Sequence, residues 1–328
     1  MTSMGNDLGG LHHVGLVVED MTAAISTYRR LGFTLPPPAY PTLSTAPGAP
    51  ARPVGAANTH IYLRRNFVEL VTVIRDGQPI PDEAHVVPLK VPADKLPALL
   101  AAVRGAAANL TACLDRFQGM HILIFDSPDI DCAAARLDTA GVGHGGVHAV
   151  QRPIETADGT RMVPARYLEI NSDDPNAPRG LLPEGRVGVA ENTPVAGQQR
   201  PEHANSAIDL VGCMLCVPDE ALADVEHRYA TYLGGATEVR HGSTRTFELD
   251  DTTVTLVAAS ALPNVLPGEC PPALPAFVGY TISVHDIVQT EHHLRAAAVT
   301  YAKGHAGEIV VPASEALGVA VIFQPSAD

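Results

Sequence analysis

Two histidines and two glutamates stand where alternating strands would turn them inward. His13 lies in LHHVGLVVED, His121 in MHILIFDSPD, Glu69 in FVELVTV and Glu169 in ARYLEI. In Leu11–Val18, the residues Val14, Leu16 and Val18 make a face suited to packing helices, which leaves Leu11, His13, Gly15 and Val17 on the other. The same division of Met120–Phe125 sets Met120, Ile122 and Ile124 on the helix side and His121 inside. If Val68 and Leu70 pack outward, Phe67, Glu69 and Val71 face in; if Leu168 and Ile170 do, Tyr167, Glu169 and Asn171 face in. A carboxylate between apolar neighbours in a buried strand is costly unless paired or metal-bound. Two imidazoles and two carboxylates suit one divalent first-row ion, whose charge the two acids neutralise, and an octahedral ion keeps two positions for water or a chelating substrate. Without a metal, the same residues read as two buried His–Glu pairs.

The elements that must position them repeat four times. Leu11–Phe33, Met120–Val142, Leu210–Gly235 and Val278–Val299 each run from a short apolar strand through an acidic turn into an amphipathic helix. Each carries an Asp near the helix start (Asp20, Asp129, Asp219, Asp286), where a carboxylate can cap free N–H groups. Met21, Ala24, Tyr28 and Leu31, and likewise Leu222, Val225, Tyr229 and Tyr232, follow the 3.6-residue period. Further strands are expected behind each helix: Thr59–Leu63 and Phe67–Val73; a strand near His148–Arg152 and Ala165–Ile170; Ser243–Leu249 and Thr252–Ala258; Glu308–Val311 and Val319–Phe323. Each module therefore reads as βαβββ, and an extra helix, Asp94–Phe117, links the first two. The Pro/Gly-rich stretch after Pro175 shows no clear periodicity. The expected division is a domain at 1–175 holding modules 1 and 2, a linker at 176–206, and a domain at 207–328 holding modules 3 and 4.

This layout resembles the vicinal oxygen chelate superfamily, which contains glyoxalases, bleomycin-resistance proteins and extradiol dioxygenases. Its opening strand commonly reads H-V-x-L-x-V-x-D, as His13 to Asp20 does here, and the stretch NTHIYLRRNFVELVTV looks closest to its glyoxalase-like members. The resemblance implies an α+β fold of four βαβββ modules, paired into two domains with curved mixed sheets around a cavity. It also implies a metal site made of His13, Glu69, His121 and Glu169, in the pattern of glyoxalase I. The ion would be Ni, Co, Zn, Mn or Fe. A metal holding two adjacent oxygens acidifies the neighbouring C–H, and Glu69 or Glu169 could shuttle that proton. His60, Phe67 and Tyr167 are candidate substrate contacts. The first expectation is a metal-dependent lyase or epimerase/isomerase acting through an enediolate or enolate. An extradiol-type dioxygenase would use His13, His121 and Glu169 as a facial triad. A non-catalytic binding or resistance protein is the third alternative.

Modules 3 and 4 act as an internal control, since Gly212, Thr255, Val278–Tyr280 and Ile322 offer no good ligand at the corresponding places. The C-terminal pair reads as a degenerate copy. The net charge of −14, without a Lys/Arg cluster, argues against nucleic acid as a partner and leaves a small-molecule substrate. No apolar stretch is read as approaching bilayer-spanning length and the N-terminus lacks a signal-peptide layout, so a cytoplasmic monomer or homodimer away from membranes is expected. Cys213 and Cys216 form C-x-x-C, but their odd spacing on a strand points them to opposite faces, as core residues.

Overall fold

Alternating burial along the strands sets the layout of the chain. The computed structural model describes residues 7–44, 49–156, 159–192, 200–234, 236–304 and 306–326. The first module comprises β1 (Leu11–Val17), α1 (Met21–Arg30), β2 (Ala39–Leu43), β3 (Arg52–Pro53), β4 (Ala56–Tyr62) and β5 (Phe67–Val73). A short β6 (His85–Pro88) and the long α2 (Leu96–Arg116) lead to the second: β7 (Gly119–Asp126), α3 (Ile130–Thr139), β8 (His148–Thr156), β9 (Gly159–Glu169) and β10 (Arg186–Asn192). The third holds β11 (Ala207–Val217), α4 (Leu222–Leu233), β12 (Thr237–His241), β13 (Thr244–Leu249) and β14 (Thr252–Ala258). After a short α5 (Leu262–Val265), the fourth holds β15 (Ala276–Val284), α6 (Ile287–Ala296), β16 (Ala302–Lys303), β17 (Ile309–Val311) and β18 (Ala320–Pro325).

The modules pair into two mixed sheets, ordered β3-β2-β4-β5-β1-β7-β10-β9-β8 and β12-β13-β14-β11-β15-β18-β17-β16. In each module the first strand lies parallel to the last, and modules join by antiparallel pairing of their first strands, β1 with β7 and β11 with β15. Asp20, Asp129 and Asp286 cap their helices by accepting backbone N–H bonds. Asp219 instead stands in a 3₁₀ turn and accepts from the Ser260 N–H, and α4 begins without a side-chain cap.

The helix-facing sides of both sheets merge into one apolar core, from Val14, Leu16 and Tyr28 to Tyr280, Val321 and Phe323. Inside it the Tyr280 hydroxyl donates to that of Tyr28 at 3.0 Å. The turn between β4 and β5 is tied to the second sheet. Arg64 and Arg65 reach the buried Asp209 at 2.6 and 3.1 Å, and Asn66 bonds the backbone of both Leu11 and Leu210. The C-terminal half thus anchors the hairpin that carries His60 and Glu69.

Two expectations change. The fourth strand of module 2 is β10, within the stretch expected to be a linker, whereas Ala165–Glu169 belongs to β9, the third strand. The signal for β10 is the Val187–Val189 alternation, masked by surrounding Gly and Pro. The faces of β7 also differ: Ile122 and Ile124 lie in the concave-side cluster with Val17 and Val71, while Leu123 and Phe125 face the helices with Met120. A register shift opposite Gly15–Leu16 absorbs His121 as an extra residue, so simple alternation from Met120 fails.

By length and composition α2 could cross a membrane, contrary to the expectation that no apolar stretch approaches that length. In the structure it lies over the concave face of the first sheet, burying Asn109, Leu110 and Cys113 there.

Candidate functional site

The concave face of the first sheet gathers the titratable side chains. Parity turns Asn58, His60 and Tyr62 of β4 to the same side as Phe67 and Glu69 of β5, with His60 paired to Glu69 and Tyr62 to Phe67. His13 joins them from β1. Its Nε2 stands 4.0 Å from one Glu69 oxygen, and His60 Nε2 stands 3.8 Å from the other. Asn58 donates its amide to the same carboxylate at 2.8 Å. The His13 ring stacks on Phe67, with centroids 4.4 Å apart and planes 10° from parallel.

His12 enters the cluster through a register irregularity between Leu11 and His13, although strict alternation would have sent it to the helices or solvent. Its Nδ1 meets His13 Nδ1 at 2.6 Å, and its Nε2 meets the Asn192 side-chain nitrogen from β10. This chain fixes tautomers. An amide N–H given to His12 Nε2 leaves the His12 proton on Nδ1, which donates to His13 Nδ1 and leaves the His13 proton on Nε2. The Glu69 carboxylate facing His60 Nε2 favours the tautomer protonated there, which makes the Tyr62 hydroxyl, 3.2 Å from Nδ1, the donor to that atom. Two imidazole N–H groups therefore face one carboxylate across gaps longer than a hydrogen bond. Burial drives the pKa values of all three rings down, that of His12 to about 3; neighbouring histidines and arginines add to the shift at His12 and His13, while Glu69 opposes it at His60, and the rings are neutral near pH 7.

Glu169 and Tyr167 line the neighbouring part of this face on β9. Arg186 of β10 donates Nε to Glu169 at 2.9 Å and Nη2 to the same oxygen. Burial disfavours the Arg186 charge, but Glu169 and then Glu69 hold its pKa above the usual range. A cavity of about 390 Å³ opens here between α2 and Tyr167, Glu169 and Arg186. A second cavity, about 360 Å³, lies by α1 and the second sheet, where Arg30 and Glu315 already pair at 2.6 Å.

His121 does not reach this cluster. Its ring, 0% exposed as a residue, donates from Nε2 to the Phe117 carbonyl at 2.8 Å and packs tilted against the Phe117 ring, and its Nδ1 has no partner among the described residues. With the capping residues Asp20 and Asp129 superimposed, His13 corresponds to Ile122. Glu69, beside Gly15, corresponds to Gly188, beside Ile124. The structure thus brings together His13, His60, Phe67 and Glu69, sets Tyr167 and Glu169 next to them through Arg186, and leaves His121 apart. Among the described residues no group of three or more His, Cys, Asp or Glu side chains has a geometry to hold a metal ion. The expected set of His13, Glu69, His121 and Glu169 is not brought together to hold one: His121 is bonded elsewhere and Arg186 occupies Glu169. Sequence reasoning missed His12, Arg186 and Asn192. A bulge hid the first, and the unrecognised β10 hid the others.

A sequence-family profile described as "Glyoxalase-like domain" matches residues 11–233. The chain belongs to the glyoxalase-like domain family. No curated protein matches it significantly. Among solved structures, the family member resembles a hypothetical protein from Staphylococcus aureus with a TM-score of 0.57 at 11% identity, covering 97% of this chain and 99% of that one. It also resembles a mutant of 4-hydroxymandelate synthase from Streptomyces coelicolor with a TM-score of 0.52 at 12% identity, covering 98% and 94%. A fusion of a xylose isomerase-like TIM barrel with 4-hydroxyphenylpyruvate dioxygenase gives a TM-score of 0.53 at 11% identity, over 98% of this chain and 49% of that one. Identities this low show a shared fold. The glyoxalase-like, vicinal oxygen chelate superfamily includes both dioxygenases and lyases, and metal dependence is common in it.

Proposed function

We propose that the concave face of the first sheet is the active site of a lyase or isomerase that moves a proton at a carbon next to a carbonyl, with Glu69 as the base. The observation that carries this reading is the Glu69 carboxylate facing the Nε2 atoms of two neutral imidazoles at 4.0 and 3.8 Å. A small substrate seated against these three groups would set its C–H against the carboxylate and its carbonyl oxygen against the imidazole N–H groups. Glu69 takes the proton, and His13 and His60 hydrogen-bond the oxyanion that develops, a role that neutral, pre-oriented donors fill without reorganising. Asn58 fixes the Glu69 rotamer through its amide. Return of the proton from Glu69 to the neighbouring carbon, or loss of a leaving group, completes isomerisation or elimination. Glu169, already engaged by Arg186, serves here to hold that guanidinium beside the pocket rather than as the base.

The test is solvent-deuterium exchange on a panel of 2-oxoaldehydes, 2-oxo acids, acyl thioesters and catechols, run beside an oxygen electrode. Deuterium at the carbon next to the carbonyl, without oxygen uptake and lost in Glu69→Gln, is expected. Stoichiometric oxygen uptake with a catechol would replace this reading with an extradiol-type dioxygenase. About one divalent ion per purified chain, lost in His60→Ala or His13→Ala, would replace proton transfer by side chains alone with metal-assisted chemistry. Silence across the panel would favour the binding protein.

A further inference from the structure

One half-buried guanidinium near this pocket has no counter-charge among the described residues. Arg152 of β8 lies close enough to His12 and His60 that its charge helps hold both rings neutral, after the larger effect of burial. Its Nε is buried without a hydrogen-bond partner, and among the described residues no carboxylate pairs with it. Burial pushes its pKa down, opposed by Tyr62. Other inward guanidinium groups are matched: Arg186 to Glu169 at 2.9 Å, Arg136 to Asp7 at 2.7 Å, Arg228 to Glu184 at 2.9 Å and Arg245 to Glu226 at 2.6 Å. Arg116 also has an unbonded Nη1, but its Nη2 donates to the Pro275 carbonyl at 2.5 Å and the group lies over Phe117, a packing role.

A partly desolvated cation without a partner is costly unless something supplies the opposite charge. Resting on the reading of the site given above, we propose that Arg152 receives the carboxylate of a monoanionic substrate, and that the carbonyl to be activated lies on the Glu69 side of His60. The charge count gives the class. Glu169 pairs with Arg186, and Glu69 is held by the Asn58 amide between neutral rings, so Arg152 is the guanidinium of this face left without a carboxylate partner, and with Glu69 already negative a single added anion matches it better than a dianionic phosphate. Guanidinium geometry adds two parallel donors suited to the two carboxylate oxygens. The chain carries a net charge of −14, so an anion finds favourable potential only where such a cation is exposed to it.

The test is binding to the full-length protein, independent of turnover. Benzoate and 2-oxobutanoate are titrated against their neutral isosteres benzamide and 2-butanone, and against inorganic phosphate, by calorimetry and by NMR of 15N-labelled histidine side chains. Both carboxylates are expected to bind at least tenfold more tightly than their isosteres and to shift the His60 ring signals. Arg152→Gln should abolish that preference while leaving the isosteres unchanged, Arg152→Lys should keep part of it, and Arg240→Gln, at an exposed position on β12 of the second sheet, should keep all of it. If Arg152→Gln does not fold, the Lys variant and the isostere comparison still decide. Equal binding of carboxylate and isostere, tighter binding of phosphate, no carboxylate binding at millimolar concentration, or an unchanged Arg152→Gln each overturn the proposal. Carboxylate binding at Arg152 without deuterium exchange would sink the lyase reading alone, and exchange that needs Glu69 but not Arg152 would sink this one alone.

Discussion

The two concave faces are built on one strand order and end in opposite states. Facing inward, the first carries His12, His13, His60, Glu69, Arg152, Glu169 and Arg186. On the second, Cys216, Val257, Ala276, Val278 and Ala320 are sealed beneath Leu262 and Leu266, with Phe117 packed against them from the end of α2. The position of Glu69, beside Gly15 in the first sheet, is filled in the second by Thr255, beside Met214. A curved sheet therefore supplies only a concavity. Charged side chains keep the first face polar, while apolar ones on the second draw the following segment in and close it.

Breaking this comparison begins with its most polar point. Glu69→Gln should lower turnover by about 10²–10⁴-fold, the range for a general base, while Thr255→Ala at the corresponding place should leave it unchanged. The deuterium-exchange rate reads both, and equal effects would remove the functional distinction between the sheets. Next, His13→Gln should cost roughly 10²–10³-fold by removing an oxyanion donor. His121→Gln should leave kcat near the wild-type value, because His121 contacts Phe117 rather than Glu69.

Leu266→Ala should act the other way, destabilising the chain by about 2–5 kcal/mol through a cavity in the closed face. Urea unfolding would show the loss while kcat per folded molecule stays constant; a fall in kcat would mean that the second face takes part in the chemistry. Acid sensitivity gives a smaller contrast. Burial, the largest cause, takes the His121 pKa to about 4, below its ordinary value of 6.5. Between those limits the unfolded chain binds more protons, so this contribution is present above pH 6.5 and disappears as pH falls toward 4. Its full size is about 3 kcal/mol. His121→Gln should flatten the slope of Tm against pH in that window, and an unaltered slope would show that this ring does not titrate as its burial implies. Smallest of all, Tyr280→Phe should cost about 1 kcal/mol by removing the hydroxyl contact with Tyr28 that joins the two halves of the core.

The four strand–helix repeats, the capping aspartates Asp20, Asp129 and Asp286, and the inward set of His13, His60, Phe67 and Glu69 were legible because period two and period 3.6 are local properties of a chain. Glu69 stood out as an acid between Val68 and Leu70, and modules 3 and 4 were already visible as lacking ligands. What sequence could not decide was register. A single irregularity brings His12 beside His13, and another turns Ile122 and Ile124 inward in place of His121. Pairing with β7 made a strand of Arg186–Asn192, which brought Arg186 to Glu169 and Asn192 to His12 across long stretches of chain. Hydrogen-bond register between strands depends on which partner arrives, and one residue of slip reverses every side chain. The residue types were therefore written in the sequence, while the tertiary pairing decided which of them meet.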